Sequence, residues 1–349
     1  MNPRPDPSSQ NPAGRRASLD DVAQAAGVGK STAARALKGD KHVARKTQRV
    51  VMEAAQKLGY QPDPILSTLA RERWRGREGY SGVSIALVYY PPARGEADLN
   101  THLEGIMEVA GPRGYKVDVI DASQLPHAAR LEEILITRNY RGLILGPMHC
   151  PEGWLQLDWS PFCVVAFGTG PGHPPIDAVG LDHLHRTQMA FREAVALGYR
   201  RPGLALLHTP PGRDYDDILS ASQLAVMQQG LEALPVYDGN EEDAAPFLRW
   251  VAECRPDCLL ADSSTAHAWL AEAGLTGPGG IGFAGIGLTK ADRDLAGVRP
   301  EAEQVGRRAM ELLDHHVCTN TRGVPSSPAR LVVTPTWMDG PSLPLRAPQ

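Results

Sequence analysis

Apolar residues between Ser18 and Leu58 recur at helical spacing: Leu19, Val22, Ala23 and Ala26, then Ala33, Ala36 and Leu37, then Val50, Val51, Ala54 and Leu58. The spacing predicts three short helices, interrupted at Gly27 and at the polar run "KGDKH". "GYQPDP" breaks the pattern, and "ILSTLARERWRGREG" reads as a further short helix running into a charged linker. From Val83 the period changes. Apolar runs of strand length such as "VSIALVYY", "GLILGP", "FCVVAFG", "GLALLH" and "DCLLAD" alternate with amphipathic stretches such as "THLEGIMEVAGPRG", "HLHRTQMAFREAVALG" and "EAEQVGRRAMELLDHHV". Continuous apolar strands separated by helices indicate parallel sheets covered on both faces. The segments are too many for one comfortable sheet, so two similar α/β lobes are expected, with ligand access between them.

Composition adds limits. Over 349 residues, 42% are hydrophobic and 22% charged, the balance of a folded soluble protein. Residues 1–17 are rich in Pro, Ser and Asn and are expected to be disordered. They contain no apolar segment of a secretory signal, and no run approaches the ~18 apolar residues of a membrane span, so a cytoplasmic location is expected. Five scattered cysteines, with Cys254 and Cys258 the only close pair, read as reduced thiols rather than a zinc site. Charge is unevenly spread. Through Arg77 there are 15 basic against 7 acidic residues, and in the remainder 21 against 33. A basic head on an acidic body suggests a polyanion-binding module joined to something else.

Within the head, "GVGKST" raises the question of a phosphate-binding loop. Such a loop needs a glycine five positions before Gly29, where the chain has Gln24, and a strand before it, where "LDDVAQAAG" is amphipathic and helical. The nucleotide reading is therefore set aside. A first helix near Leu19–Ala26, a Gly27 turn and a second helix near Lys30–Leu37 make a helix-turn-helix, with Ala23, Val28, Ala33 and Leu37 facing its core. Lys30 and Ser31 then lie at the end that would meet base edges, with Thr32 and Arg35 placed for phosphate or guanine contacts. By pattern alone, a helical hairpin with a charged outer face fits as well.

Residues 18–70 resemble the head of the lac-repressor/gal-repressor family of bacterial transcription regulators. The shared features are an acidic-DVA-x-x-AGV opening, T-x-x-R in the second helix, V-x-x-x-T-x-x-x-V in the third, then "LGYQP" and a hinge ending in Leu-Ala. The resemblance implies an N-terminal all-α helix-turn-helix DNA-binding domain plus hinge helix, joined to an α/β two-lobed periplasmic-binding-protein-like domain with parallel sheets. The expected boundaries are a tail at 1–17, the head at 18–61, hinge helix and linker at 62–80, and the ligand-binding and dimerisation domain at 81–349. By the same resemblance Lys30, Ser31, Thr32 and Arg35 contact the operator from the second helix. Thr47 matches the third-helix threonine, Tyr60 the aromatic before the hinge, and Leu69 the leucine that paired hinge helices insert into the minor groove. The implied partners are a palindromic double-stranded operator, a second copy of the chain and a small-molecule effector. The tail has no leucine heptads, so a tetramer built on a C-terminal coiled coil is not expected.

In the body the chain departs from the family. Ser263-Ser264 replaces the usual Asn-Asp after "CLLAD", Gly287 stands where a ligand-gripping aspartate lies, and Gly168 replaces an acid after "VVAF". An ordinary monosaccharide effector is therefore not expected. Candidates for lining the cleft are Tyr90, Phe167, Asp182, His183, Asp262, Ser264 and Trp269, with Asp182-His183 at the family's Asp-Asn position. No nucleophile elbow, zinc-protease motif or complete dinucleotide fingerprint is present, and His183/His185 and His315/His316 lack a third ligand. Neither catalysis, a cofactor nor a metal site is expected. The alternative is an α/β small-molecule-binding protein or enzyme whose basic head grips DNA nonspecifically.

Overall fold

The computed structural model describes residues 19–37, 43–58, 82–91, 99–148, 150, 154–168, 174–207, 213–299 and 301–346. The chain divides into two compact units, residues 1–81 and 82–349. The expected tail, the hinge at 62–80, Tyr60 and Leu69 lie outside the described residues.

In the first unit, α1 (Leu19–Ala25), α2 (Lys30–Leu37) and α3 (Arg45–Lys57) pack around Val22, Ala23, Ala33, Ala36, Val43, Val51, Ala54 and Ala55. Small alanines let three short helices approach closely enough to share one core. Gly27 closes α1 in the left-handed region (φ 63°), a conformation that favours glycine, and the Val28 N–H returns to the Ala23 carbonyl at 3.0 Å. The segment before Lys30 is helix, so the strand that a phosphate-binding loop requires is missing. Two expectations for α3 change. Val50 and Leu58 are each 40% exposed, and the inward stripe is Val51, Ala54 and Ala55.

The second unit holds two six-stranded sheets. The N-terminal lobe is built on β1 (Ser84–Tyr90), β2 (Lys116–Asp121), β3 (Gly142–Met148), β4 (Cys163–Phe167), β5 (Ala178–Leu181) and β11 (Arg330–Val333), in the order β2-β1-β3-β4-β5-β11 and parallel throughout. The C-terminal lobe repeats that order with β7 (Tyr237–Asp238), β6 (Pro202–Leu206), β8 (Cys258–Ala261), β9 (Gly282–Gly285) and β10 (Gly297–Val298). It ends on β12 (Trp337–Met338), which is antiparallel to β10. Each sheet is buried on both faces. That coverage explains the unbroken apolar strands. Strands β10, β11 and β12 were not anticipated, because two- to four-residue strands in mixed sequence carry no period.

Helices α4 (Leu99–Ala110), α5 (Ala128–Thr137) and α10 (Ala302–Thr319) belong to the N-terminal lobe. Helices α6 (His183–Ala196), α7 (Arg213–Gln229), α8 (Ala244–Cys254) and α9 (Thr265–Glu272) belong to the other. Helices α4 and α10 meet through reciprocal glycines. A Cβ on Gly105 would lie 2.0 Å from the Glu303 carbonyl oxygen, and one on Gly306 2.0 Å from that of His102. The chain passes between lobes three times: after β5, before α10 and between β11 and β12. The last two passages are tied by the Arg299 N–H donating to Thr336 O at 2.9 Å.

Candidate functional site

The outer side of the head carries the first set of candidates. Lys30, the first residue of α2, and Arg35, in its last turn, are exposed, while Thr32 is half-buried. Ser31 follows Lys30 on the first turn. Gly29 supplies the carbonyl that accepts the Ala33 N–H at 2.9 Å, so it opens the helix without a side-chain cap. Thr47 sits half-buried in the first turn of α3. Because Ala33 and Ala36 are fully turned into the core, helical geometry alone leaves Lys30 and Arg35 on the solvent side.

A second site forms where the passages between lobes meet the strand ends. Asp182 caps α6 by accepting the His185 N–H at 2.9 Å. This cap directs His183 and Arg186 toward the junction. Nε2 of His183 lies 3.8 Å from an Asp214 oxygen, and Nη2 of Arg330 lies 3.4 Å from the other. Asp214 opens α7 in one lobe and Arg330 lies on β11 in the other, so the pair spans the cleft. Arg186 is 5% exposed. Burial pulls its guanidinium below the ordinary value, opposed by the charges of Glu301, Asp262 and Asp214. Burial likewise pushes the Glu301 carboxyl up, against the attraction of Arg186. His183 is lowered to about 4, first by burial and then by Arg186, so its ring is neutral at pH 7.

The remaining cleft candidates divide. Tyr90 ends β1 in an edge-to-face contact with Trp154 at 5.5 Å, and Phe167 ends β4 stacked on His102 at 4.7 Å. Asp262 is buried and accepts the Leu207 N–H at 2.7 Å, which ties β8 to β6. Ser264 precedes α9 without a side-chain cap. Its neighbour Ser263 makes the local bonds instead, donating to Glu241 and accepting the Thr265 N–H at 3.1 Å. Trp269 is brought not to the charged junction but onto Phe247, 5.4 Å between centroids, in the core of its lobe. Arg186, Asp214, Glu301 and Arg330 were missed by sequence reasoning. For Arg186 a signal existed: it lies three and four residues before the buried Met189 and Ala190, so it occupies the apolar stripe of α6.

Two glycines at this site also become intelligible. Gly168 has an Asp214 oxygen 4.0 Å from where its Cβ would be, so a carboxylate arrives there from the opposite lobe. Gly287 is closed differently: a Cβ would lie 2.2 Å from the Asp262 carbonyl oxygen. An aspartate at that position would not fit the present backbone.

Residues 18–63 match the family model described as bacterial regulatory proteins, lacI family. The match makes residues 18–63 a lacI-family DNA-binding head. The chain is 30% identical over 194 residues to the HTH-type transcriptional regulator GntR of Pseudomonas aeruginosa, covering 53% of this chain and 52% of that protein. The matched stretch thus spans about half the length of that relative. Among solved structures, the likeness in fold extends through the body. A transcriptional regulator CelR–cellobiose complex is similar at a TM-score of 0.58 and 20% identity, covering 93% of this chain and 99% of that one. The lac repressor dimer bound to operator and the anti-inducer ONPF is similar at 0.55 and 16%, covering 93% and 98%. At these identities the likeness is one of fold. Among the described residues no group of His, Cys, Asp or Glu is placed to hold a metal ion, and no helix is long and apolar enough to cross a membrane.

Proposed function

We propose that this lacI-family protein is a ligand-responsive transcription repressor that binds a palindromic operator as a homodimer in the cytoplasm and catalyses no reaction. The observation that carries the reading is the agreement between the family match at residues 18–63 and a three-helix head that exposes Lys30 and Arg35 on its second helix. Lys30, Ser31, Thr32 and Arg35 read the half-site, Thr47 and Tyr60 position the head on the backbone, and Leu69 wedges the minor groove. The boundaries at 18–61, 62–80 and 81–349 follow from the same reading.

The effector enters between the lobes, lined by Tyr90, Phe167, Asp182, His183, Asp262 and Ser264. Nδ1 of His183, Nε of Arg186 and Nε of Arg330 are buried with no hydrogen-bond partner among the described residues. Buried polar atoms rarely stay unpaired, which supports a polar occupant. The similarity to a cellobiose-bound regulator supports the location only. Effector and operator must alter each other's affinity by the same factor, whichever way the lobes move.

Selection from a random duplex pool, with the parent protein and Arg35→Ala in parallel, tests the reading. A two-fold palindrome should be enriched, and Arg35→Ala should lose about 1–3 kcal/mol of affinity for it. Binding without sequence enrichment, unchanged in the variant, would favour the nonspecific alternative.

A further inference from the structure

At the opposite ends of the N-terminal lobe's strands, two arginines share one oxygen. Nη2 of Arg141 and Nε of Arg322 donate to Oδ1 of Asn320 at 2.8 and 3.0 Å. Asn320 closes α10 in the left-handed region (φ 58°), so its side chain is fixed by the helix end. The arginine backbones are fixed as well. The Arg141 N–H donates to Ser84 O at 2.9 Å and its carbonyl accepts from Cys163. The Gly323 N–H, next to Arg322, donates to Phe162 O at 2.9 Å.

Like charges at this range repel. Burial and then Arg141 pull the Arg322 guanidinium below its ordinary value. Both side chains are partly exposed, and neither pairs with a carboxylate among the described residues. Acids elsewhere in this lobe have partners of their own: Asp118 in Lys116 and Tyr140, Asp314 in Arg113 and Tyr115, and Asp158 in Ser160. A rigid pair of uncompensated guanidinium forks matches the two free oxygens of a phosphodiester. Arg141 lies against Ser84, two residues from where the second unit begins, and the sequence just before carries Arg71, Arg73, Arg75 and Arg77. In a body that is acidic as a whole, the uncompensated charge stands beside the residues that open the second unit.

We propose that Arg141 and Arg322, fixed on Asn320, form an oxyanion site that holds the phosphodiester backbone of duplex DNA. The site rests on the DNA-binding reading above and adds to it a contact made by the body. Its effect is sequence-independent, so a random-sequence duplex is a sufficient probe. Losing the contact to that one phosphate should flatten the dependence of log affinity on log salt by about 0.9.

The test is a salt titration of the full chain between about 50 and 200 mM with that duplex. Arg141→Gln/Arg322→Gln should be shallower than the parent by about 0.9, and Arg322→Gln alone by less than that. Arg141→Lys/Arg322→Lys should keep the parent slope. Arg35→Ala is run beside them to report on the head alone. An unchanged slope in both glutamine variants overturns the site, even if Arg35→Ala flattens it and the head reading stands. A glutamine variant that melts earlier with an unchanged slope assigns the arginines to capping α10, which also overturns the site. A parent that binds no duplex removes both readings.

Discussion

In the N-terminal lobe the C-terminal strand ends carry rings, Tyr90 against Trp154 and Phe167 against His102; in the C-terminal lobe they carry Asp262 and Ser263, each bonded within its own lobe. Both lobes use the same strand order, so architecture does not account for the contrast. The N-terminal lobe is held by an apolar helix seam, with Gly105 and Gly306 letting α4 and α10 touch. The C-terminal lobe ties its strand ends with buried polar bonds and lends Arg186 and Asp214 to the junction. One wall of the cleft is thus apolar and the other polar, with the charges collected where the chain passes between lobes.

Breaking the helix seam should have the largest effect. Gly306→Leu places a side chain where the His102 carbonyl oxygen now sits 2.0 Å from the Cβ position, so the helices must part. Roughly 3 kcal/mol or more should be lost in urea unfolding. A loss below about 1 kcal/mol would mean the seam is not what holds this lobe.

An intermediate effect is expected in the other lobe. Asp262→Ala leaves the Leu207 N–H without its acceptor and removes one of the carboxylates around the buried Arg186. The expected cost is about 2–4 kcal/mol. Asp262→Asn keeps an acceptor and should lose less, which separates the hydrogen bond from the charge. Equal losses in the two variants would assign the whole effect to charge.

The smallest effect is read in pH. His183 titrates near 6.5 when unfolded and at about 4 when folded, so the unfolded chain takes up its proton first. Its stability contribution is complete above pH 6.5 and is lost as pH falls toward 4. By about pH 5 the loss should be about 1–2 kcal/mol. Glu301, pushed up by burial, acts in the opposite sense, so the measured quantity is the difference between the parent and His183→Gln. Parallel stability curves for the two proteins would show that His183 is not held neutral at the junction.

Much of this is legible in the sequence. The 19–37 helix pair follows from apolar spacing and one glycine, and the body's parallel sheets follow from apolar runs too continuous for a one-sided strand. Asp182 is read from the sequence only as a cleft residue, and the structure adds its role as the cap of α6. Trp269 was misplaced because proximity to a strand end says nothing about which face of the next helix a ring occupies, and here Phe247 claimed it. Val50 was misassigned for a similar reason: spacing did not say where the inward stripe of α3 was centred, and it runs through Val51, Ala54 and Ala55.

Local order, then, was set by the sequence alone: helix period, strand runs, the Gly27 turn and the head motif that matches the lacI family model. Tertiary structure decided the constellations. Arg186, Asp214, Glu301 and Arg330 are scattered over 145 positions, and Arg141 meets Arg322 only because α10 returns to the first lobe after the second is built. Such meetings depend on which segments cross between lobes. No pattern of neighbouring residues encodes that, because a charge's partner is chosen by the packing of distant apolar faces.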